Sequence, residues 1–558
     1  MAPESAAYNM AWSMRVLGPL DPNTLARAIT EVAARHDLLR SRFTESDGTP
    51  RRVVDAAAAP RLVVRDAAGS STQPATPGPQ APAVTQSSAP AVAQPSIPAV
   101  TRPSTAAATQ SLTPAAAPSH LEGSFNNPLI GQSSSSVAAG EPSVPRAGDR
   151  GNEGLFDNPL VEQSDDQSRE CRDGGPSAVG GGAVDPSALA RAEVAVPFRL
   201  EHEGPVRVVL VRVGVDDAVL VFVVHHIAMD FGSLVRVVRE VLDAYRGELT
   251  EKESGHTYAD FVAAERGFLD SDRGRDAAEY WRTALVGAPT SLELPFDRPR
   301  PARPRFRGAV HAFQLPPDVV TTLGPTARAL KVTPVRHLIG VFQALLHRHS
   351  AQREFLLGCD AQSALSLSHR GVVGYFTNRL LLRARCVPGV TFRDLARAVG
   401  EQLSAATAHG DYPFALLRHA LGLSAPSDAT PLATVAVSMI SVDPSDPLLA
   451  LATREDGHEV DHAGLRLVGV DVPQQAGQFD LTLEVIRSRA DVHCALKYDT
   501  DLFDRTTAER LGDHYVRLLR AAATDPDRPV AAVPLMDETE RARLLAFATG
   551  GPARGERS

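Results

Sequence analysis

The chain has 558 residues, a formal net charge of -9, 43% hydrophobic residues and 22% charged residues. This composition is typical of a soluble globular protein with two or more domains. Because it contains neither an apolar run of membrane-spanning length nor a concentrated basic block, we expect a cytoplasmic protein that binds no membrane and no nucleic acid.

The first elements are a strand and a helix. Alternating apolar residues predict a strand over Met10–Leu17, and Gly18 with Pro19 ends it. Asp21 followed by Pro22 is a typical helix start, and apolar residues at helical spacing continue to about His36. The sequence RHDLLRSRF follows, which taken alone indicates only a basic helix end.

Residues 69–182 differ sharply in composition, being rich in Ala, Pro, Ser, Thr, Gln and Gly. Such a segment has too little apolar surface to offset the entropy of ordering it, so we predict a disordered insert. It contains the repeat E-G-x-F-x-N-P-L-x-x-Q-S twice, which indicates either duplication without function or a two-site docking motif for a scaffold or shell protein. The candidate docking residues are Phe125, Asn127, Pro128 and Leu129 in one copy and Phe156, Asn158, Pro159 and Leu160 in the other.

Strands and helices alternate after the insert. Val206–Val213 and Ala218–Val224 predict a pair of strands, and apolar spacing from Leu234 predicts a helix that Gly247 ends. A proline- and arginine-rich segment, Leu292–Gly308, cannot be helical and is predicted to link two halves of the protein. Helices and strands interleave again beyond it, so we expect an α/β protein.

The sequence HHIAMDFGS follows the second predicted strand directly. Because side chains alternate between the faces of a strand, only one of His225 and His226 can point into a given cleft. A histidine pair at a strand end is consistent with a structural, a metal-binding or a catalytic role. The four cysteines, Cys171, Cys359, Cys386 and Cys494, show no zinc-ligand spacing, and we expect no metal.

Several segments together resemble the condensation domains of nonribosomal peptide synthetases, within the superfamily of carrier- and coenzyme-A-dependent acyltransferases. The histidine segment resembles the family's HHxxxDG motif, and RHDLLRSRF resembles RHExLRTxF. Further similarities follow in family order and together span residues 5 to about 540. They are YADF (Tyr258–Phe261), VGYFTNRL (Val373–Leu380), HGDYPFALL (His409–Leu417), FDLTLEV (Phe479–Val485) and LKYDTDLFD (Leu496–Asp504).

The resemblance implies a V-shaped pseudo-dimer of two α/β lobes, each like chloramphenicol acetyltransferase. We expect residues 1–68 and 183–294 to form the N-terminal lobe and residues 309–540 the C-terminal lobe. Residues 295–308 would link them, and residues 541–558 would form a flexible tail.

The resemblance also implies the chemistry, in nonribosomal peptide or hybrid polyketide biosynthesis. An acyl or peptidyl thioester, presented on the phosphopantetheine arm of a donor carrier protein, would be transferred to an amine or hydroxyl acceptor on a second carrier. His226 corresponds to the catalytic position, where it removes the acceptor's proton or holds the acceptor and stabilises the intermediate. No bound cofactor is implied.

The remaining site residues are expected to support His226. His225 and Asp230 are interpreted as supports, with Asp230 paired to an arginine, for which the candidates are Arg35, Arg40 and Arg379. Backbone N–H groups of Gly232 and Ser233 are candidates to face an oxyanion. Tyr375 and Asn378 are candidates for a tunnel wall or for a purely structural role, and Phe231, where the family usually has glycine, is expected to put a bulky ring beside the histidine.

Two alternatives within the same fold remain. An epimerase-like member shares the HHxxxDxxS pattern of His225–Ser233 but needs a second acid/base residue in the other lobe. A non-catalytic docking or scaffold protein would keep the fold and recruit partners through the two repeats.

Overall fold

The computed structural model describes residues 5–46, 49–67, 185–250, 255–423, 432–441, 446–453, 457–472, 477–487 and 491–548. The predicted insert, with both repeats, lies outside these described residues. Within them, no helix is long and apolar enough to cross a membrane.

The first half of the chain follows the predicted order closely. The predicted strands and helices around the insert form at nearly the expected bounds, and Asp21 caps its helix by accepting from the N–H groups of Asn23 and Thr24. The elements are β1 (Asn9–Leu17), α1 (Pro22–Arg35), β2 (Ser41–Ser46), β3 (Thr49–Val54), β4 (Leu62–Asp66), α2 (Pro186–Val194), β5 (Val206–Gly214), β6 (Asp217–His225), α3 (Phe231–Arg246), α4 (Tyr258–Asp270) and α5 (Asp272–Leu285).

The second half again alternates strands with helices. Its elements are β7 (Gly308–Gln314), α6 (Pro317–Leu330), α7 (Pro334–Ser350), β8 (Glu354–Gln362), α8 (Ala364–Ser368), β9 (Thr377–Arg385), α9 (Phe392–Ala408), α10 (Phe414–Ala420), β10 (Val435–Ser441), α11 (Pro447–Thr453), β11 (Glu459–His462), β12 (Leu465–Val470), β13 (Leu481–Arg487), β14 (Val492–Asp499), α12 (Arg505–Thr524) and α13 (Glu538–Ala548).

Two mixed six-stranded sheets organise the two lobes. The first has the order β11-β12-β1-β6-β5-β4 and the second the order β7-β14-β13-β10-β8-β9, while β2 and β3 form a separate hairpin. Each sheet has its own apolar core with helices packed against it. The predicted two-lobe α/β fold is therefore confirmed.

Strand β6 is a continuous apolar run because both of its faces are covered. Val219, Val221 and Val223 lie in the core on one face, with α2 residues such as Ala190. The alternate residues Leu220, Phe222 and Val224 lie in the core on the other face, among residues of α1 and α3. The strand is thus fixed from both sides, and so is the direction in which its last residues point.

The structure corrects the predicted lobe boundaries in three places. Residues of α5 and the segment after it, including Trp281 and Leu294, pack in the core of the second sheet, although the sequence predicts them in the N-terminal lobe. Conversely, β12 pairs with β1 in the first sheet, and Leu448 and Leu449 of α11 pack in its core. The predicted flexible tail begins within α13, which extends to Ala548. The first two corrections rest on pairings and contacts between residues far apart in sequence.

The predicted linker is held against the C-terminal lobe by ion pairs. Arg300 forms a bidentate pair with Asp480 at 2.7 and 2.6 Å, and Arg305 forms one with Asp501 at 2.8 and 2.7 Å. Asp297 adds a backbone bond from its N–H to the carbonyl of Leu502 at 2.9 Å. Because Leu294 before this segment and Leu315 after it both pack in the core of the second sheet, the segment runs along the second lobe, and the prediction that it links the two lobes is wrong.

An ion pair links the strand before the insert to the helix after it. Strand β4 is the edge strand and pairs in parallel with β5. Arg65 of β4 forms an ion pair with Glu193 of α2, and Asp66 accepts from Arg212 at 3.0 Å. Strand β4, which precedes the insert, is therefore tied to the last turn of α2, the first helix after it.

Candidate active site

Strand β6 delivers the two histidines to opposite sides, as the alternation of side chains predicts. The N–H of His226 donates to the carbonyl of Tyr8 at 2.8 Å, and that of His225 donates to the carbonyl of Pro205 at 2.8 Å. The His225 ring faces the same side as Val223, near Phe198, at a centroid distance of 6.2 Å. His226 is half-buried and lies beside Tyr375 from the other lobe, with ring centroids 5.0 Å apart.

The His226 ring is oriented by one backbone carbonyl. Its Nδ1 lies 2.9 Å from the carbonyl oxygen of Met229, and because a carbonyl can only accept, Nδ1 carries the proton. The neutral ring therefore has its lone pair on Nε2. Burial lowers the pKa of His226, opposed by the Met229 bond and by the charges of Asp230 and Asp360. The ring is thus held as a neutral base with a defined free nitrogen.

His225 has the opposite tautomer and a different environment. Its Nδ1 accepts the N–H of Ile227 at 3.1 Å, so in the neutral ring the proton is on Nε2. The side chain is buried, and burial together with the neighbouring His226 lowers its pKa to about 4. His225 therefore stays neutral and helps to fold the loop that follows β6, and its role as a support for His226 stays a prediction.

Asp230 caps α3 and connects the two lobes. One carboxylate oxygen accepts the N–H of Ser233 at 2.9 Å, and the other accepts the N–H of Phe376 at 3.1 Å and the hydroxyl of Thr377 at 3.4 Å. The N–H of Asp230 also donates to the carbonyl of Gly374 at 3.1 Å. A buried carboxylate is stabilised here by backbone donors and by the positive end of the helix dipole.

The prediction that Asp230 pairs with an arginine is therefore wrong. In the part of the chain that the structure describes, the three candidate arginines have other acidic partners. These are Glu240 for Arg35 at 3.6 Å, Asp37 for Arg40 at 2.6 Å and Asp360 for Arg379 at 2.7 Å. Backbone N–H groups take the place of the expected guanidinium.

The pair formed by Arg379 and Asp360 nevertheless acts on the site through its charge. Asp360 raises the pKa of His226 and Arg379 lowers it, so the two nearly adjacent charges oppose each other. The guanidinium of Arg379 also stacks over the ring of Phe479 at 4.4 Å. Asp360 stands near the end of β8, and no sequence pattern points to it.

The expected oxyanion donors are only partly available. The N–H of Ser233 is committed to Asp230, and its Oγ is bonded to Gly374, donating to the carbonyl at 2.8 Å and accepting from the N–H at 3.1 Å. Ser233 is therefore a link between the lobes, and the prediction that its N–H faces an oxyanion is wrong. Gly232 remains a candidate.

The two tunnel-wall candidates have different roles. Tyr375 is 39% exposed and packs edge-on against His226, and its role in a tunnel wall stays a prediction. The Asn378 amide instead donates to the carbonyls of Gly410 and Tyr412 at 2.9 and 2.8 Å, and its oxygen accepts the N–H of Phe414. Asn378 is therefore a structural residue that fixes the segment 410–414.

Phe231 packs against the apolar core of the first lobe and is half-buried. The expected place of its ring beside the histidine stays a prediction. Gly374 has no room for a side chain, because a Cβ there would lie 2.2 Å from a ring carbon of Tyr258. Glycine at this position allows the close approach of the Tyr258 ring.

Sequence reasoning missed the groups that orient the site most directly. The Met229 carbonyl and the Gly374 backbone groups cannot be predicted from the sequence, because nearly every residue has the same backbone donor and acceptor. Among the described residues, no three His, Cys, Asp or Glu side chains cluster as metal ligands would.

Comparison with known proteins places this site in a family. The model of a family described as "Condensation domain" matches residues 1–79 and 184–545. A linear gramicidin synthase of Brevibacillus parabrevis is 31% identical over 362 residues, which is 64% of this chain and 4% of that protein. Phosphinothricin tripeptide synthetase of Streptomyces viridochromogenes is 32% identical over 353 residues, 62% of this chain and 31% of that protein. The chain thus spans less than a third of the length of these curated relatives.

Solved structures share the fold at lower identity. A four-domain nonribosomal peptide synthetase bound to AMP and glycine matches 97% of this chain and 33% of its own chain, with a TM-score of 0.70 and 18% identity. The X-domain from teicoplanin biosynthesis matches 96% of this chain and 94% of its own, with a TM-score of 0.68 and 20% identity.

The lobe contact through Asp230 predicts a specific loss of stability. In Asp230→Asn, an NH₂ group, which can only donate, replaces one of the two carboxylate oxygens. Either the Ser233 N–H or the Phe376 N–H therefore loses its acceptor. We expect a destabilisation of about 1–3 kcal/mol, measured by urea denaturation.

The control is Asp21→Asn, which alters a helix cap that makes no contact between the lobes. Asparagine caps helices about as well as aspartate, so its unfolding midpoint should hardly change. Equal midpoints for the two variants would contradict the linking role of Asp230.

Proposed function

Because this chain belongs to the condensation-domain family, we propose that it transfers an acyl or peptidyl group from a carrier-bound thioester to an amine or hydroxyl acceptor. The product is an amide or an ester. The observation that supports this most strongly is the hydrogen bond from Nδ1 of His226 to the Met229 carbonyl, which leaves Nε2 as a free acceptor. A nucleophile that loses a proton as it attacks needs such a group within hydrogen-bond distance.

The proposed reaction begins with the acceptor N–H or O–H donating to Nε2 of His226. The acceptor atom attacks the thioester carbon, and the proton moves to Nε2 as the tetrahedral intermediate forms. The imidazolium keeps its bond to the Met229 carbonyl, which accepts more strongly from a charged ring. Collapse of the intermediate breaks the C–S bond, and the proton passes to the departing sulfur, giving a free thiol.

The thioester is presented by the phosphopantetheine arm of a donor carrier, and a second carrier presents the acceptor. This part of the proposal rests on the relatives, which include a tripeptide synthetase by name. His226 has a second candidate role, in which it holds the acceptor and stabilises the charged intermediate. Both roles require the same free Nε2.

Replacing His226 by alanine tests the proposal. General acid–base catalysis typically contributes 10²–10⁴-fold, so product formation from loaded carriers should fall by roughly that factor in His226→Ala. The control is His419→Ala, at an exposed position on α10, which should form product at the wild-type rate. An unchanged rate in His226→Ala would contradict the proposal and favour a docking or scaffold role.

The lowered pKa of His226 predicts the pH dependence. A lowered pKa keeps the ring neutral at pH values below its ordinary value of 6.5, so activity should persist there and decline only as the pH falls through the lowered pKa. The measurement is the pH profile of kcat/KM, which reports the free enzyme. Half-maximal activity at or above pH 6.5 would contradict this assignment.

We also propose that the two E-G-x-F-x-N-P-L-x-x-Q-S repeats bind a scaffold or shell protein. Two linked copies raise the effective concentration of the second site once the first has bound. A flexible Gly/Ser linker long enough to span from the end of β4 to the start of α2 can replace residues 69–182 and keep the pairing of β4 with β5 and the ion pair between Arg65 and Glu193.

That replacement should leave the thermal unfolding midpoint close to wild type and remove a specific partner from a pulldown. Alanine at Phe125 and Leu129 removes one copy and should weaken capture, whereas adding alanine at Phe156 and Leu160 should abolish it. Recovery of the same proteins by the shortened chain and by wild type would contradict the docking role.

A further inference from the structure

Phe306 has a backbone conformation that bulky side chains rarely adopt. Its φ is 52°, in the left-handed region where a Cβ crowds the neighbouring backbone. Among the residues that the structure describes, three other non-glycine residues have a positive φ. Each lies where a helix ends or a hairpin turns: Lys331 and Ala351 after α6 and α7, and Ala463 between β11 and β12. Phe306 lies in neither setting, so its strain points to another role.

The chain on both sides of Phe306 is fixed by the second lobe. Directly before it, Arg305 forms the bidentate ion pair with Asp501. Directly after it, the carbonyl of Arg307 accepts the N–H of Thr500 at 2.9 Å. A strained backbone conformation persists where its neighbours are held in this way.

The ring of Phe306 contacts the first lobe. It is half-buried, and in the described ranges it belongs to the apolar core of neither sheet. Its centroid lies 6.4 Å from that of the Tyr8 ring, with the planes 55° apart, which is within the range of aromatic pairs. The Tyr8 ring in turn lies 6.1 Å from that of His225. The strained residue therefore presents an aromatic ring to the residue that precedes β1.

Tyr8 holds the backbone of His226. The pairing of β1 with β6 ends at Asn9, opposite His225. The Tyr8 carbonyl extends this ladder by one bond, since it accepts the N–H of His226 at 2.8 Å. The loop in which the Met229 carbonyl orients the His226 ring begins at this bond. A shift of Tyr8 therefore reaches His226 through a backbone hydrogen bond.

A second contact holds the same segment from the same side. The Gln478 amide donates to the carbonyl of Ala7 at 2.7 Å. The residue before it, Gly477, lies against the strained segment, because a Cβ there would be 2.7 Å from the carbonyl of Arg307. One polar and one aromatic contact thus fix Ala7 and Tyr8 from neighbouring parts of the chain.

We propose that Phe306 is a positioning residue for His226: its ring holds Tyr8, and the Tyr8 carbonyl holds the backbone from which the His226 imidazole projects. This inference rests on the proposed function. It accounts for the left-handed conformation at Phe306, which glycine adopts freely but which here carries an aromatic ring. Proton transfer requires Nε2 of His226 within hydrogen-bond distance of the acceptor, so a small displacement of the imidazole lowers the rate.

The test removes the ring and keeps the backbone. Asparagine tolerates the left-handed region, so Phe306→Asn deletes the aromatic contact without adding strain. Product formation from loaded carriers should fall about tenfold, because a displaced base meets the acceptor's proton less often. Phe306→Tyr keeps the ring and should retain the wild-type rate.

Phe296→Asn is the matched control. It removes an aromatic ring from the same segment, but that ring packs against Phe503 in the second lobe. Assayed below its unfolding midpoint, Phe296→Asn should form product at the wild-type rate. An unchanged rate in Phe306→Asn, or an equal loss in Phe296→Asn, would overturn the inference.

A double-mutant cycle tests whether Phe306 acts through Tyr8. Tyr8→Ala removes the other ring of the pair and leaves the backbone carbonyl of residue 8 in place. Because both changes delete one contact, the double variant should be about as slow as the slower single variant. Losses that multiply in the double variant would contradict a shared path through Tyr8.

A measurement without turnover separates this inference from the proposed function. NMR spectra of the labelled histidine rings should show a mixture of the two neutral tautomers at His226 in Phe306→Asn, whereas Phe296→Asn should keep the proton on Nδ1. That result supports the positioning role even if His226→Ala proves as active as wild type. A single tautomer with the proton on Nδ1 in Phe306→Asn would refute the positioning role and leave the proposed function intact.

Discussion

One hydrogen bond, from Nδ1 of His226 to the carbonyl of Met229, orients the histidine on which the proposed reaction depends. It fixes both the tautomer and the direction of the ring, and so decides which nitrogen meets a substrate. The bond exists because the chain turns back within a few residues of β6. That turn is supported by the Ile227 N–H, which donates to His225, and by Asp230, which begins α3. The two histidines therefore have complementary tasks: His225 shapes the loop and His226 faces outward.

The same short loop also joins the lobes. Asp230 and Ser233 both bond to the backbone of residues 374–376. His226 and the contact between the lobes are thus built from one stretch of sequence. A change in the packing of the two lobes must alter the surroundings of His226, since Tyr375 lies within the same contact. The surroundings of His226 therefore depend on how the two lobes pack against each other.

How much the sequence could predict depends on the range of the interaction. Strand β6, the cap at Asp21 and the opposite directions of His225 and His226 follow from local patterns of burial and capping, and the structure agrees with them. The predicted partner of Asp230 is wrong because its donors include a backbone N–H group 146 residues away, which no pattern of side chains reveals. The predicted lobe boundaries fail for a similar reason. Strand β12 completes the first sheet beside β1, and the two strands come from nearly opposite ends of the chain.

The tautomers of the two histidines are the most direct test of this account. Long-range ¹H–¹⁵N NMR spectra of protein labelled in the histidine rings report which ring nitrogen is protonated, and His226→Gln and His225→Gln assign the signals. The account predicts a proton on Nδ1 and a bare Nε2 at His226, with the reverse at His225. A neutral His226 ring protonated on Nε2 would contradict it, since that ring has no free nitrogen facing the substrate.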